Sequence, residues 1–190
     1  ILRHLKRPSR IVDQVAAVQT CRGSHTHSVV SSDDKRIVVY NSGTSSVREQ
    51  AELERCIDES PGDQRTALFR IDVIEIPVAD PSRARIIDSP AVFADDKTGA
   101  LAGLWRGGDH GDMTQETSQT DHCHDITTFP DKKIAAGACS GNGILFDITD
   151  PLKPKRIDAV IDPGFAYWHS ATFNNDGTKV IFTDEWGGGS

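Results

Sequence analysis

Along most of the 190-residue chain, apolar positions come in short β-prone runs rather than at helical spacing. "RIVVY" (36–40), "VIEIPV" (73–78), "GILFDI" (143–148) and "KVIFT" (179–183) are rich in Val, Ile and Phe. Asp, Asn, Gly, Lys or Pro bound them. Such runs between turn residues predict strands joined by hairpins.

The runs repeat. "SHTHSVVSSDDKRIVVYNSG" (24–43), "DHCHDITTFPDKKIAAGACSG" (121–141) and "YWHSATFNNDGTKVIFTDEWGG" (167–188) each read histidine, short run, polar turn, second run, glycine. The histidines that align when counted this way are His27, His124 and His169. A second element joins two runs through an Asp-Pro turn, "VIEIPVADPSRARIID" (73–88) and "ILFDITDPLKPKRIDAV" (144–160). "RPSRIVDQV" (7–15) reads as the tail of one more copy. The order is one strand, two sets of four, then two more strands. The 45 residues from His124 to His169 match a four-stranded blade. The 97 residues from His27 to His124 require long insertions.

The fold expected is all-β, an incomplete β-propeller of about two and a half four-stranded blades. One partial domain spans 1–190, with blade repeats at 21–95, 121–163 and 164–190 and insertions at about 44–66 and 95–120. The first insertion predicts a short helix at about 46–57. The second, Gly-, Thr- and charge-rich, shows no periodicity. Two and a half blades cannot close a ring, since four to eight are usual. The chain does not begin with Met, and "ILRHLKRP" reads as a cut edge. A section of a longer protein is therefore expected, with the remaining blades on the same or another chain.

"GILFDITDPLKPKRIDAV" resembles the repeat of the LVIVD-repeat β-propeller family, in which an apolar strand enters a D-I-x-D-P-x-x-P turn. "CHDITTFP" resembles the opening of that family's next strand. The copy at 73–88 departs from it, lacking the second turn proline. The resemblance implies a propeller and no particular activity, because fold does not fix function.

A formal net charge of -7 and the absence of a basic run exclude nucleic acid or an anionic membrane as the main partner. No stretch approaches the ~18 apolar residues of a membrane span. No nucleotide-binding glycine motif or nucleophile elbow occurs.

Four cysteines fit two disulfides or free thiols. Around a Pro130-Asp131-Lys132 turn, Cys123 falls opposite Cys139, within reach of a disulfide. Cys21 and Cys56 would then pair. The rival is a thiolate at Cys139 in a His/Cys metal site with His122 or His124. The disulfide reading places the chain outside the cell, in the periplasm or on the cell surface.

His25, His27, His122, His124 and His169 lie at the starts of the repeated inner strands, which line the channel of a propeller. Asp184 and Glu185 end the last strand near His169. Imidazoles and carboxylates gathered at one mouth suit zinc, copper, iron or manganese. The arrangement is similar in architecture to the selenium-binding-protein and methanethiol-oxidase propellers, though no extended motif matches. Asp125 and Ser28 are the orienting partners expected from the sequence. Asp109 and His110 would reach the mouth if the second insertion folds over it. Two functions follow: a metal-dependent oxidoreductase or hydrolase, or a non-catalytic scaffold binding a small molecule or protein at the mouth. In the second, each histidine bonds a neighbouring blade's backbone.

Overall fold

The computed structural model describes residues 2–6, 11–58, 64–109, 116–162 and 167–185 and is all-β, without an α-helix among them. Strands β1 (Leu2–Lys6) and β2 (Ile11–Ala16) form a hairpin. A four-stranded meander follows, of β3 (Thr26–Ser32), β4 (Arg36–Ser42), β5 (Asp72–Pro77) and β6 (Arg85–Asp88). After a two-residue ladder of β7 (Gly108–Asp109) and β8 (Glu116–Thr117) comes a second meander. It comprises β9 (Cys123–Phe129), β10 (Ile134–Cys139), β11 (Asn142–Asp147) and β12 (Lys155–Val160). β13 (Trp168–Phe173) and β14 (Val180–Asp184) form a last hairpin. Every pairing is antiparallel, and none of these sheets closes on itself.

Local chemistry sets the turns. Asp80 Oδ1 accepts the N–H of Ser82 at 3.2 Å, and Asp150 Oδ1 accepts that of Leu152 at 3.0 Å. Each Asp thus wraps the proline after it into a turn, which is why Asp-Pro recurs between the third and fourth strands. The β13–β14 turn places Gly177 at φ 65°, a conformation glycine adopts without steric cost.

Two expectations are corrected. The chain has a hairpin before its first meander, not a single strand, because residues 2–6 pair with β2. Residues 46–57 form turns instead of a helix. The Leu53 N–H reaches Glu49 O at 3.1 Å, but the turn does not propagate. A segment this short is marginal as a helix, and Cys56 is its one deeply buried apolar residue, so no apolar stripe holds it. Instead a Cys21–Cys56 disulfide pins its end. Cys123 is bonded to Cys139, directly opposite in the ladder, so no cysteine is free.

β9 lies between β3 and β13, bringing the first strands of the two meanders and of the last hairpin side by side. Tyr40, Phe69, Phe93, Ile126, Ile144 and Phe146 are buried in the core between the two meanders. A smaller core of Ala136, Ala138, Trp168 and Ala171 joins the second meander to the last hairpin. β10 is therefore buried on both faces, Ala135 and Cys139 towards one core and Ala136 and Ala138 towards the other. Its "AAGA" run lets neighbours approach on both sides. A Cβ on Gly137 would meet both disulfide sulfurs at 3.0 and 3.1 Å. The segment leading into the second insertion braces the meanders, with Arg156 donating to the carbonyls of Val92 and Ala94, both at 2.8 Å.

Candidate functional site

The starts of β3, β9 and β13 share one end of the molecule, joined by a seam of side-chain-to-backbone bonds. Thr26 and Ser28 hydroxyls donate to the carbonyls of His124 and Ile126, and Thr128 Oγ1 donates to Val29 O at 3.0 Å. His25 Nδ1 lies 3.1 Å from His124 O, and His124 Nδ1 lies 3.0 Å from His169 O. A carbonyl only accepts, so in both rings Nδ1 carries the proton and the neutral ring keeps its lone pair at Nε2.

The rings form a row, with centroids 4.1 Å apart between His25 and His124 and 4.2 Å between His124 and His169. Of the two histidines expected from the first repeat, His25 joins the row, and His27, the one that aligned with His124 and His169, does not. Counting from the hairpin turns misplaced it, because β3 carries an extra residue, Val30, lower in the strand. The better signal is a four-residue pattern, His-Thr-His-Ser (25–28), His-Asp-Ile-Thr (124–127) and His-Ser-Ala-Thr (169–172), of which Thr26, Ser28 and Asp125 take part in the seam.

His124 and His169 occupy equivalent irregularities. Ala138 faces Asp125 and Cys139 faces Cys123, leaving His124 unopposed. Likewise Asp184 faces Trp168 and Thr183 faces Ser170, leaving His169 unopposed. Each histidine is the extra residue of a β-bulge, which re-aims its side chain away from strict alternation.

Beside them stands Glu185, with Oε2 3.3 Å from His169 Nε2. The potential ligand atoms of His124, His169 and Glu185 all lie within 4.8 Å of one another. That is close to the span of side chains sharing one ion at ~2.0–2.2 Å from each. Burial, then the nearby His25 and His169, push His124 below the usual histidine range, favouring the neutral ring that a metal needs. The Tyr167 ring meets His124 edge-on, centroids 5.7 Å apart. Burial, then Glu185 and Asp121, push its phenol up.

The other residues expected at the mouth do different work. Asp184 turns back to accept the Tyr167 N–H at 2.8 Å. His122 Nδ1 lies 2.5 Å from Asp121 Oδ1, and Asp121 lies 3.3 Å from Arg22. Burial pushes Asp121 up, but the His122 bond and the Arg22 charge outweigh it and leave the carboxyl below its usual range. Arg22 also donates to Ser45 O and Asp121 O, tying the first insertion to the loop before β9. His27 lines a cavity of about 570 Å³ on the other face of the first meander, together with His25, Val39, Ile74 and Ile76. Asp125 Oδ2 accepts the Ala171 N–H at 3.5 Å, so it and Ser28 belong to the seam and do not orient the rings. Backbone carbonyls do that. Asp109 pairs with Glu116 in the β7–β8 ladder, and His110 lies outside the described residues.

Two imidazoles and a carboxylate, with lone pairs directed by the fold, are a donor set suited to a borderline divalent cation and leave positions for water or a substrate oxygen. Comparison with family models, curated proteins and solved structures finds no match for the chain.

Proposed function

We propose that the chain is a section of a β-propeller of the LVIVD-repeat kind that binds a divalent transition metal (zinc, copper, iron or manganese) at its channel mouth. His124, His169 and Glu185 are the ligands, with His25 beside them. The supporting observation is the His124 Nδ1–carbonyl bond, which leaves Nε2 as the donor next to His169 and Glu185. Fixing one ring nitrogen so that the other can ligate is how proteins orient metal-binding histidines. A bound metal would supply Lewis acidity, for hydrolysis or for an oxidation of a small molecule. Tyr167 would border the substrate, and Glu185 would offset part of the cation's charge. Two disulfides support a location outside the cell, in the periplasm or on the cell surface.

Elemental analysis of natively purified protein, followed by metal titration, tests the reading. Near one equivalent is expected, lost in His124→Ala with the β-sheet circular dichroism unchanged. Protein that carries no metal and binds none would reject it. The same Nδ1–carbonyl bonds favour a second reading, in which the histidines only pin adjacent strands and the mouth of a scaffold binds its partner without metal.

A further inference from the structure

A chain with 28 acidic and 21 basic residues gathers four of its arginines around one cavity. Arg22, Arg55, Arg65 and Arg70 line a space of about 340 Å³, and Asp72 is the one carboxylate in its wall among the described residues. Small-molecule sites are usually concave and about 300–1,000 Å³, so this one suits a compact ligand. The wall is drawn from residues 21–89 alone: the loop before β3, the first insertion, the segment from it into β5, and the ends of the strands beside them.

Arg22 is offset by Asp121, but Arg70 and Arg55 are held by groups that leave their charge in place. Arg70 donates from Nε to Thr66 O at 2.9 Å, from Nη1 to Ser89 O at 2.7 Å and from Nη2 to Gln64 O at 2.5 Å. Arg55 donates to Gln19 O. A carbonyl carries no net charge, and a guanidinium has five N–H donors, so two of Arg70's remain among the described residues. Burial pulls Arg70 below the usual guanidinium range, and the charge of Asp88 only partly restores it. Burial likewise pushes the Asp72 carboxyl up, ahead of the Ser89 bond, the Arg55 charge and the Asn41 bond that lower it. One reluctant carboxylate therefore faces four guanidiniums. The residue before Arg70, Phe69, stands at φ 62° with its ring fully buried. That conformation is costly for a bulky side chain and persists only where the surrounding packing fixes it. The Cys21–Cys56 bond fixes the segment that carries Arg55.

We propose that this cavity binds a small organic anion through a carboxylate or phosphate group, with Arg70 as the anchor and Arg55 and Arg65 beside it. The planar guanidinium fork matches both groups, giving charge-assisted bonds about twice as strong as neutral ones. The cavity concentrates positive potential on an otherwise acidic molecule, which draws a small anion to this one place. None of its lining residues is a proposed metal ligand, so the inference rests on neither the metal nor the propeller reading.

Isothermal titration calorimetry at low salt, with inorganic phosphate and separately with succinate, is the test. At least one probe should saturate near one equivalent with a dissociation constant below about 1 mM, and the tighter one identifies the group. Arg55→Gln and Arg65→Gln should each weaken it about tenfold or more. Both side chains are exposed, so the variants keep the fold. Arg106→Gln removes the same charge beside a different cavity and should leave binding unchanged. No saturable binding of either probe overturns the proposal, as does binding indifferent to both Arg55→Gln and Arg65→Gln. Equal weakening by Arg106→Gln also overturns it, since general charge attraction would then suffice. Repeating the titration after dialysis against the uncharged chelator bipyridine should change nothing. Binding lost with the metal would place the anion at the histidines and reject this cavity.

Discussion

The first and second meanders meet across a deep core, whereas the second meander and the last hairpin meet across a shallow one. Four large aromatics, Tyr40, Phe69, Phe93 and Phe146, lie fully buried in the first. The second has a buried centre of three alanines and Trp168, bordered by the partly buried Leu145, Phe173, Val180 and Phe182, with Trp168 edge-to-face on Phe182 at 5.1 Å. Yet both junctions share a histidine Nδ1 on the next strand's carbonyl. Strand-to-strand geometry along the seam is therefore independent of how much apolar volume lies behind it. The histidine row depends on the seam and the bulges, and stability depends on the cores.

The largest expected effect lies in the deep core. Phe146→Ala should cost about 3–5 kcal/mol, read as a lower denaturation midpoint of the whole chain. A loss confined to one meander would show that the junctions fold separately. Replacing Cys123 and Cys139 together by Ala should cost up to about 3 kcal/mol, since the bond closes a loop of sequence separation 16. No change on reduction would mean the ladder alone holds those strands.

Gly143→Ala probes the shallow junction. Its Cβ would lie 2.9 Å from both Trp168 and Phe182, whose rings are packed and cannot retreat. A cost of about 1–3 kcal/mol is expected, with Trp168 fluorescence altered and the deep core intact. If His169 is carried away from His124, metal affinity should fall with it. Unchanged fluorescence would show that the hairpin is not seated there.

The smallest effect concerns pH. His124 has a folded pKa below its unfolded value of about 6.5, so below that value the unfolded chain binds more protons. The contribution is present above about 6.5 and is lost as pH falls towards the folded value. The melting temperature of wild type should therefore drop more between pH 7 and 5 than that of His124→Gln. Equal slopes would place the ring in solvent.

Much of the strand order was legible because turn chemistry is local. Asp-Pro, Asn-Asp-Gly and Pro-Asp-Lys mark their own hairpins, and the Cys123–Cys139 register follows by counting from one of them. The false helix at 46–57 arose from the same localism. "AELERC" has helical propensity, but tertiary pinning at Cys56 decides its path. His25 was among the candidates, but the alignment put His27 in the equivalent place because a bulge at Val30 alters the count within β3, and bulges leave no reliable mark in composition. Glu185 was readable from its place after the last strand. Asp184 was not separable from it without knowing that His169 is unopposed, which moves the facing residue to Trp168.

Those unopposed residues have an evolutionary consequence. A residue inside the ladder is constrained by its cross-strand neighbour, so exchanging it disturbs two strands at once. The extra residue of a bulge has no such neighbour. Positions 124 and 169 can therefore drift to other side chains while the sheets keep their register. A lineage built on this scaffold has cheap places to try new chemistry, one at each strand that carries the bulge.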